Sequence, residues 1–95
     1  MRFHLTKKAK NDLIEIAIYT EENWGVKQRD LYLKGFDKAF RLLAKNPKTG
    51  KSCDEIVLGY RKYNLGKHLI FYHQLDIEIQ IVRILHASMD VENHF

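Results

Sequence analysis

The sequence predicts an α+β fold in the order β-α-α-β-β-β, with an antiparallel helix hairpin packed on a mainly antiparallel four-stranded sheet. Three observations predict it. Apolar residues recur at helical spacing from Lys7 to Lys45, broken once at Gly25. Asn46-Pro47 stops that pattern. Residues 60–86 are then dense in Tyr, Phe, Ile and Val, with turn residues at short intervals.

In Arg2–Leu5, Phe3 and Leu5 alternate with polar neighbours, which predicts a strand, and Thr6 is placed to cap a following helix. Ala9, Leu13, Ile16, Ala17 and Trp24 mark the apolar face of that helix, which Gly25 ends. Tyr32, Phe36, Ala39, Phe40 and Leu43 mark a second stripe. The short Trp24-Gly25-Val26 link makes the pair a hairpin whose apolar faces need a sheet. Tyr60–Leu65 and His68–Gln74 flank Gly66-Lys67, a Gly-X pair suited to a two-residue type II′ turn. After a turn near Asp76, Ile77, Ile79 and Ile81 alternate with Glu78 and Gln80. Val82, Ile84 and Leu85 then make both faces apolar, so the far end of this strand is expected to be buried on both sides.

A chain of 95 residues suits one domain, 1–95, with one modest core. No apolar run approaches the ~20 residues of a membrane-spanning helix, and no signal peptide is evident, so a cytoplasmic protein without membrane association is expected. The single cysteine, Cys53, sits in what reads as a polar loop and is expected to be inert. The formal charge is +4, concentrated in residues 26–45. There Lys27, Arg29, Lys34, Lys38, Arg41 and Lys45 outweigh Asp30 and Asp37, and such a surface attracts acidic partners or phosphates. These basic residues read as spread around the helix, and no helix-turn-helix spacing stands out. A simple DNA-binding module therefore fits less well, and no sequence-specific nucleic-acid contact is expected.

Most catalytic templates fail. The five glycines show no phosphate-loop spacing, and the five histidines and Cys53 show no paired metal-ligand spacing, so neither a cofactor nor a metal is expected. Metal-independent RNA cleavage needs only a base, an acid and cations for the phosphate. Arg61, Lys62, Tyr63, His68, Arg83 and His86 on the meander could supply them. Strand tyrosines and arginines also commonly serve packing or bind acidic partners, so position alone leaves both roles open.

The run Leu5-Thr6-Lys7-Lys8-Ala9-Lys10-Asn11-Asp12-Leu13, continuing through Ile16, Tyr19, Trp24 and Gly25, resembles the start of ParE-type toxins. Asn46-Pro47, Gly50, Tyr60-Arg61, Gly66, Ile70-Phe71-Tyr72, Val82-Arg83-Ile84-Leu85-His86 and Met89-Asp90 follow in that family's order. The resemblance to the ParE branch of the ParE/RelE superfamily covers nearly the whole chain. It implies a RelE-like fold and the toxin of a type II toxin–antitoxin pair, neutralised in a hetero-oligomer by a ParD-like antitoxin. It also implies a non-enzymatic inhibitor that holds DNA gyrase on cleaved DNA. The alternative is a ribosome-dependent mRNA endonuclease of the RelE type. That branch carries two lysines two apart on the first meander strand, where this chain has Arg61 and Tyr63. A nuclease set using His68 or His86 stays open, because histidine can serve as general acid or base.

The resemblance directs attention to Arg61, Tyr63, Arg83, His86, Met89 and Asp90 as target-binding residues, with no catalytic residue assigned. Leu31, Leu33, Lys34, Phe36, Phe40 and Arg41 are expected to bind the antitoxin, although Phe36 and Phe40 are also candidates for the core. On this reading Arg83→Ala and Met89→Ala each relieve growth arrest while leaving the domain folded, measured by colony formation on induction and by circular dichroism.

Overall fold

The structure is a computed structural model covering Met1–Phe95. Strand β1 (Arg2–Leu5) leads into helices α1 (Lys7–Trp24) and α2 (Val26–Lys45) and a 3-10 turn, Pro47–Thr49. Strands β2 (Lys51–Ser52), β3 (Tyr60–Leu65), β4 (His68–Gln74) and β5 (Glu78–His86) follow, and Val91–His94 forms a last 3-10 turn. The sheet has five strands rather than the four expected, in the order β1-β5-β4-β3-β2. The extra strand is the two-residue β2, too short to show a period in sequence. No helix is long and apolar enough to cross a membrane.

Local chemistry explains most boundaries. Thr6 accepts the Ala9 amide (3.1 Å), as a capping threonine should. Gly25 alone separates the helices, at φ +89°, a conformation that side chains with a Cβ rarely adopt. Gly66 has φ +56° while Lys67 stays out of the left-handed region, which is the backbone of a type II′ turn and sets the Leu65–His68 register. Strand β5 begins at Glu78, one residue later than expected, and Ile77 is exposed.

Both helices lie on one face of the sheet. Ala9, Ile16, Phe36, Ala39, Phe40, Leu43 and Ala44 pack there against Ile70, Tyr72, Ile79, Ile81 and Ile84. Phe36 is 0% and Phe40 3% exposed, so the expectation that they bind an antitoxin is corrected: both belong to the core. Trp24, assigned to the α1 core stripe, is 64% exposed and rests against Tyr19 instead. Thr20 takes the buried position at the last core-facing turn of α1 and bonds back to the Ile16 carbonyl. Apart from Arg29, the basic residues of α2 do not spread around the helix. Lys27, Lys34, Lys38, Arg41 and Lys45 are all exposed and fall within about 60° of one another at 3.6 residues per turn.

The other face carries a smaller cluster of Cys53, Phe71 and Leu85, bordered by Ile56, Tyr60, Leu69 and Val91. Cys53 is thus buried rather than part of a polar loop, and burial pushes its thiol pKa up, away from the reactive thiolate. Phe95 stacks edge-on against Phe71 (4.9 Å), laying the tail across this face. A β-bulge at Val82 makes both clusters possible. Ile81 pairs with Tyr72 and Arg83 with Phe71, leaving Val82 extra. The alternation shifts there, so Ile79, Ile81 and Ile84 face the helices while Leu85 faces the tail.

Strand β1 runs parallel to β5 and pairs only with Glu78–Ile81. Beyond that point the edge of β5 would be bare, and α1 closes it. The Thr6 hydroxyl donates to the Val82 carbonyl (2.8 Å), and Asp12 accepts the Ile84 amide (2.9 Å). Asp12 also takes two bonds from Arg83, from Nε at 2.8 Å and Nη2 at 2.9 Å, with both side chains largely shielded from water. Asp12→Ala orphans one amide and one arginine together, and is expected to cost about 2–3 kcal/mol, near the lower range for breaking a buried pair. Tyr72→Phe, which removes the hydroxyl bonded to Pro47 and Gly50, is expected to cost about 1–2 kcal/mol. Urea midpoints of the two variants check both values and their order.

Candidate functional site

An open cleft of about 750 Å³ lies where the middle of α1 crosses the start of β4 and the end of β5. Asp12, Glu15, Ile16 and Tyr19 line it from α1, spaced so that one helix face presents all four. His68, Arg83 and His86 line it from the strands, and Met89 and His94 from the tail.

At its floor His68 and His86 stand opposite each other in the β4–β5 ladder, rings 5.3 Å apart and edge-to-face. The two imidazoles have different hydrogen-bond partners. Tyr32 Oη lies within hydrogen-bonding distance of both the Leu65 carbonyl (3.1 Å) and His68 Nδ1 (2.6 Å). His86 Nδ1 accepts the Ser88 amide (3.1 Å), so neutral His86 carries its proton on Nε2. Burial, together with the neighbouring His86, lowers the His68 pKa below its ordinary 6.5 and holds that ring neutral. Burial also raises the Tyr32 hydroxyl, keeping it a donor. The floor thus presents two imidazoles side by side, suited to a partner's hydrogen-bonding groups.

The six expected target-binding residues do not form one site. Arg83, His86 and Met89 gather at the cleft, and Met89 is 44% exposed. Arg83 is already engaged: Asp12 holds its guanidinium above the ordinary pKa, and Nη1 also donates to the His94 carbonyl. The expectation that Arg83→Ala spares the fold is therefore revised, because removing Arg83 leaves a shielded Asp12 without its ion-pair partner. Asp90 pins the tail by accepting the Asn93 side-chain amide (2.6 Å). Arg61 and Tyr63 lie elsewhere. Arg61 stands two strands away from His86 and about 13 Å along the strand direction, where it donates to the Gly50 carbonyl (2.7 Å). Tyr63 is half-buried against the main core.

Sequence reasoning did not single out Asp12, Glu15, Tyr19, Tyr32 or His94 as site residues, and it weighed His68 only for a nuclease. The spacing Asp12-Glu15-Tyr19, at three and four residues, was the available signal for a shared helix face.

The chain matches the family model described as the ParE toxin of the type II toxin–antitoxin system parDE over residues 3–91. It is 40% identical over 94 residues to Toxin ParE1 of Mycobacterium tuberculosis, covering 98% of this chain and 96% of that one. It is 33% identical over 92 residues to Toxin ParE1 of Caulobacter vibrioides, covering 97% and 95%. A solved structure titled the chromosomal ParDE TA system from P. aeruginosa shares the fold, with a TM-score of 0.78 at 23% identity over 90% of this chain and 95% of that one.

The depressed His68 pKa has a consequence for stability. The unfolded chain takes up this proton at higher pH than the folded one, so the contribution is complete above about 6.5 and is lost as pH falls through the folded-state value. The urea midpoint is expected to fall between pH 7.5 and pH 5, and His68→Asn to flatten that slope. Equal slopes for the two proteins would contradict the assignment.

Proposed function

The chain belongs to the ParE toxin family of type II toxin–antitoxin systems, and from that premise we propose that it arrests growth in the cytoplasm by holding DNA gyrase on cleaved DNA. It acts by binding, without bond-making chemistry of its own, and a ParD-like antitoxin silences it. The observation that carries this over the messenger-cleaving alternative is the placement of Arg61 and Tyr63. They occupy the positions of the nuclease branch's lysine pair, yet one is bonded to the Gly50 carbonyl and the other packs on the core, both away from the His68–His86 cleft. Within the cleft the arginine is neutralised by Asp12, with Glu15 beside it, which leaves Arg83 poorly suited to stabilise a phosphorane.

Gyrase contact is assigned to the cleft mouth, where Met89 offers an exposed apolar side chain beside the His86 imidazole. Antitoxin contact is assigned to the outer side of α2, where Leu31 is 54% exposed and Lys34 and Arg41 are exposed; Leu33, on the opposite side of the helix, is half-buried beside the core. An acidic segment gains there chiefly from charge, with Leu31 as a local apolar contact.

Purified chain without antitoxin, added to gyrase with supercoiled plasmid and ATP, is expected to accumulate linear DNA after protein digestion. Met89→Ala is expected to reduce that product about tenfold, the effect of roughly 1.4 kcal/mol of lost contact. Codon-positioned message cleavage in a parallel ribosome assay, with gyrase undisturbed, would overturn the reading.

A further inference from the structure

Helix α2 turns a row of positive charge to solvent that neither the core nor the cleft uses. Lys27, Lys34, Lys38, Arg41 and Lys45 follow one another at intervals of seven, four, three and four residues, all exposed, on the side opposite Phe36, Phe40 and Leu43. At 1.5 Å per residue the row is roughly 27 Å long and nearly parallel to the helix axis. Four of the five cations have no ion pair; Arg41 alone is bonded, to Asp37 at 2.9 Å, with both partners well exposed. The other acid on this side, Asp30, is occupied by Arg29, which lies off the row. The helix is held rigidly from beneath, since its opposite face supplies five buried residues to the core.

We propose that this row is a sequence-independent phosphate-binding surface for duplex DNA. Along its whole length the arrangement favours a polyphosphate over an amphipathic peptide, because no apolar residue interrupts the cations. The exposed leucines, Leu31 and Leu42, stand eleven residues apart on one flank, too sparse to anchor an amphipathic helix along the row's whole length. Its five cations can each meet a phosphate along roughly 27 Å of duplex. Lysines suit this role because a point charge on a flexible stem neutralises phosphate without reading base edges. The row faces away from the sheet, so DNA can lie on it while the cleft is engaged elsewhere. The inference does not rest on the gyrase reading, because its test contains no gyrase. Lys34 and Arg41 also belong to the surface assigned to the antitoxin, so DNA and antitoxin would compete there.

The test is fluorescence anisotropy of two unrelated labelled 20-base-pair duplexes, titrated with the purified chain at several salt concentrations. Both are expected to bind equally within about twofold. Neutralising four or five phosphates gives a log–log salt slope near −4, or about a hundredfold loss from 50 to 150 mM. The variant Lys27→Gln/Lys34→Gln/Lys38→Gln/Lys45→Gln is expected to bind at least tenfold more weakly at 50 mM and to have a flatter slope. Its all-exposed positions should leave the circular dichroism unchanged, and the matching lysine-to-arginine variant should retain binding if the fold is intact. Absence of binding at 25 mM salt, undiminished binding by the glutamine variant, or a tenfold preference for one sequence would each overturn the proposal. So would capture of polyglutamate without duplex DNA, which would assign the row to an acidic protein surface.

Discussion

The three bonds that Asp12 accepts from β5 and its arginine hold this architecture together. A parallel strand of four residues cannot cover a nine-residue neighbour, and the chain leaves the sheet at Thr6 to become a helix. The abandoned edge of β5 must still satisfy its amides and carbonyls, because an unpaired shielded backbone group costs as much as a lost hydrogen bond. Thr6 and Asp12 do so from the first turns of α1, which fixes where the helix lies over the sheet. Arg83 extends the same bond set around the edge to the His94 carbonyl, so helix, strand and tail are tied at one point.

The bulge at Val82 is the counterpart of that edge. It allows one strand to supply Ile79, Ile81 and Ile84 to the helix side and Leu85 to the tail side, which a strict two-residue period could not do. The small second cluster then gives Phe95 and Val91 something to rest on. The cleft is the space left between the tied edge and the tail, and its polar floor follows from the same register, which sets His68 opposite His86.

Charge is distributed to match. Around the cleft Arg83 is paired with Asp12 and burial keeps His68 neutral, so recognition there depends more on shape, apolar contact and hydrogen bonds than on charge. On the outer face of α2 the cations are largely unpaired and exposed, and the dominant interaction is long-range attraction that salt screens. Two surfaces of such different character suit a protein that engages more than one macromolecule.

Much of this was already legible in the sequence. Period and punctuation determined the order of elements: Thr6 as cap, Gly25 as break, Asn46-Pro47 as stop and Gly66-Lys67 as hairpin turn, because each acts through its own backbone preference. The projection of the five α2 cations was also contained in their spacing, once the helix bounds were known. The tertiary structure alone decided that Asp12 and Arg83 meet across 71 residues of chain, that Val82 shifts the strand's phase, and that Arg61 and Tyr63 stand apart from His86. It likewise revealed β2, since two residues carry no period, and buried Phe36 and Phe40, which helical spacing assigns to a face without saying what covers it. Local preference is written along the chain residue by residue, whereas a site is assembled from strand register and edge closure, which depend on partners distant in sequence.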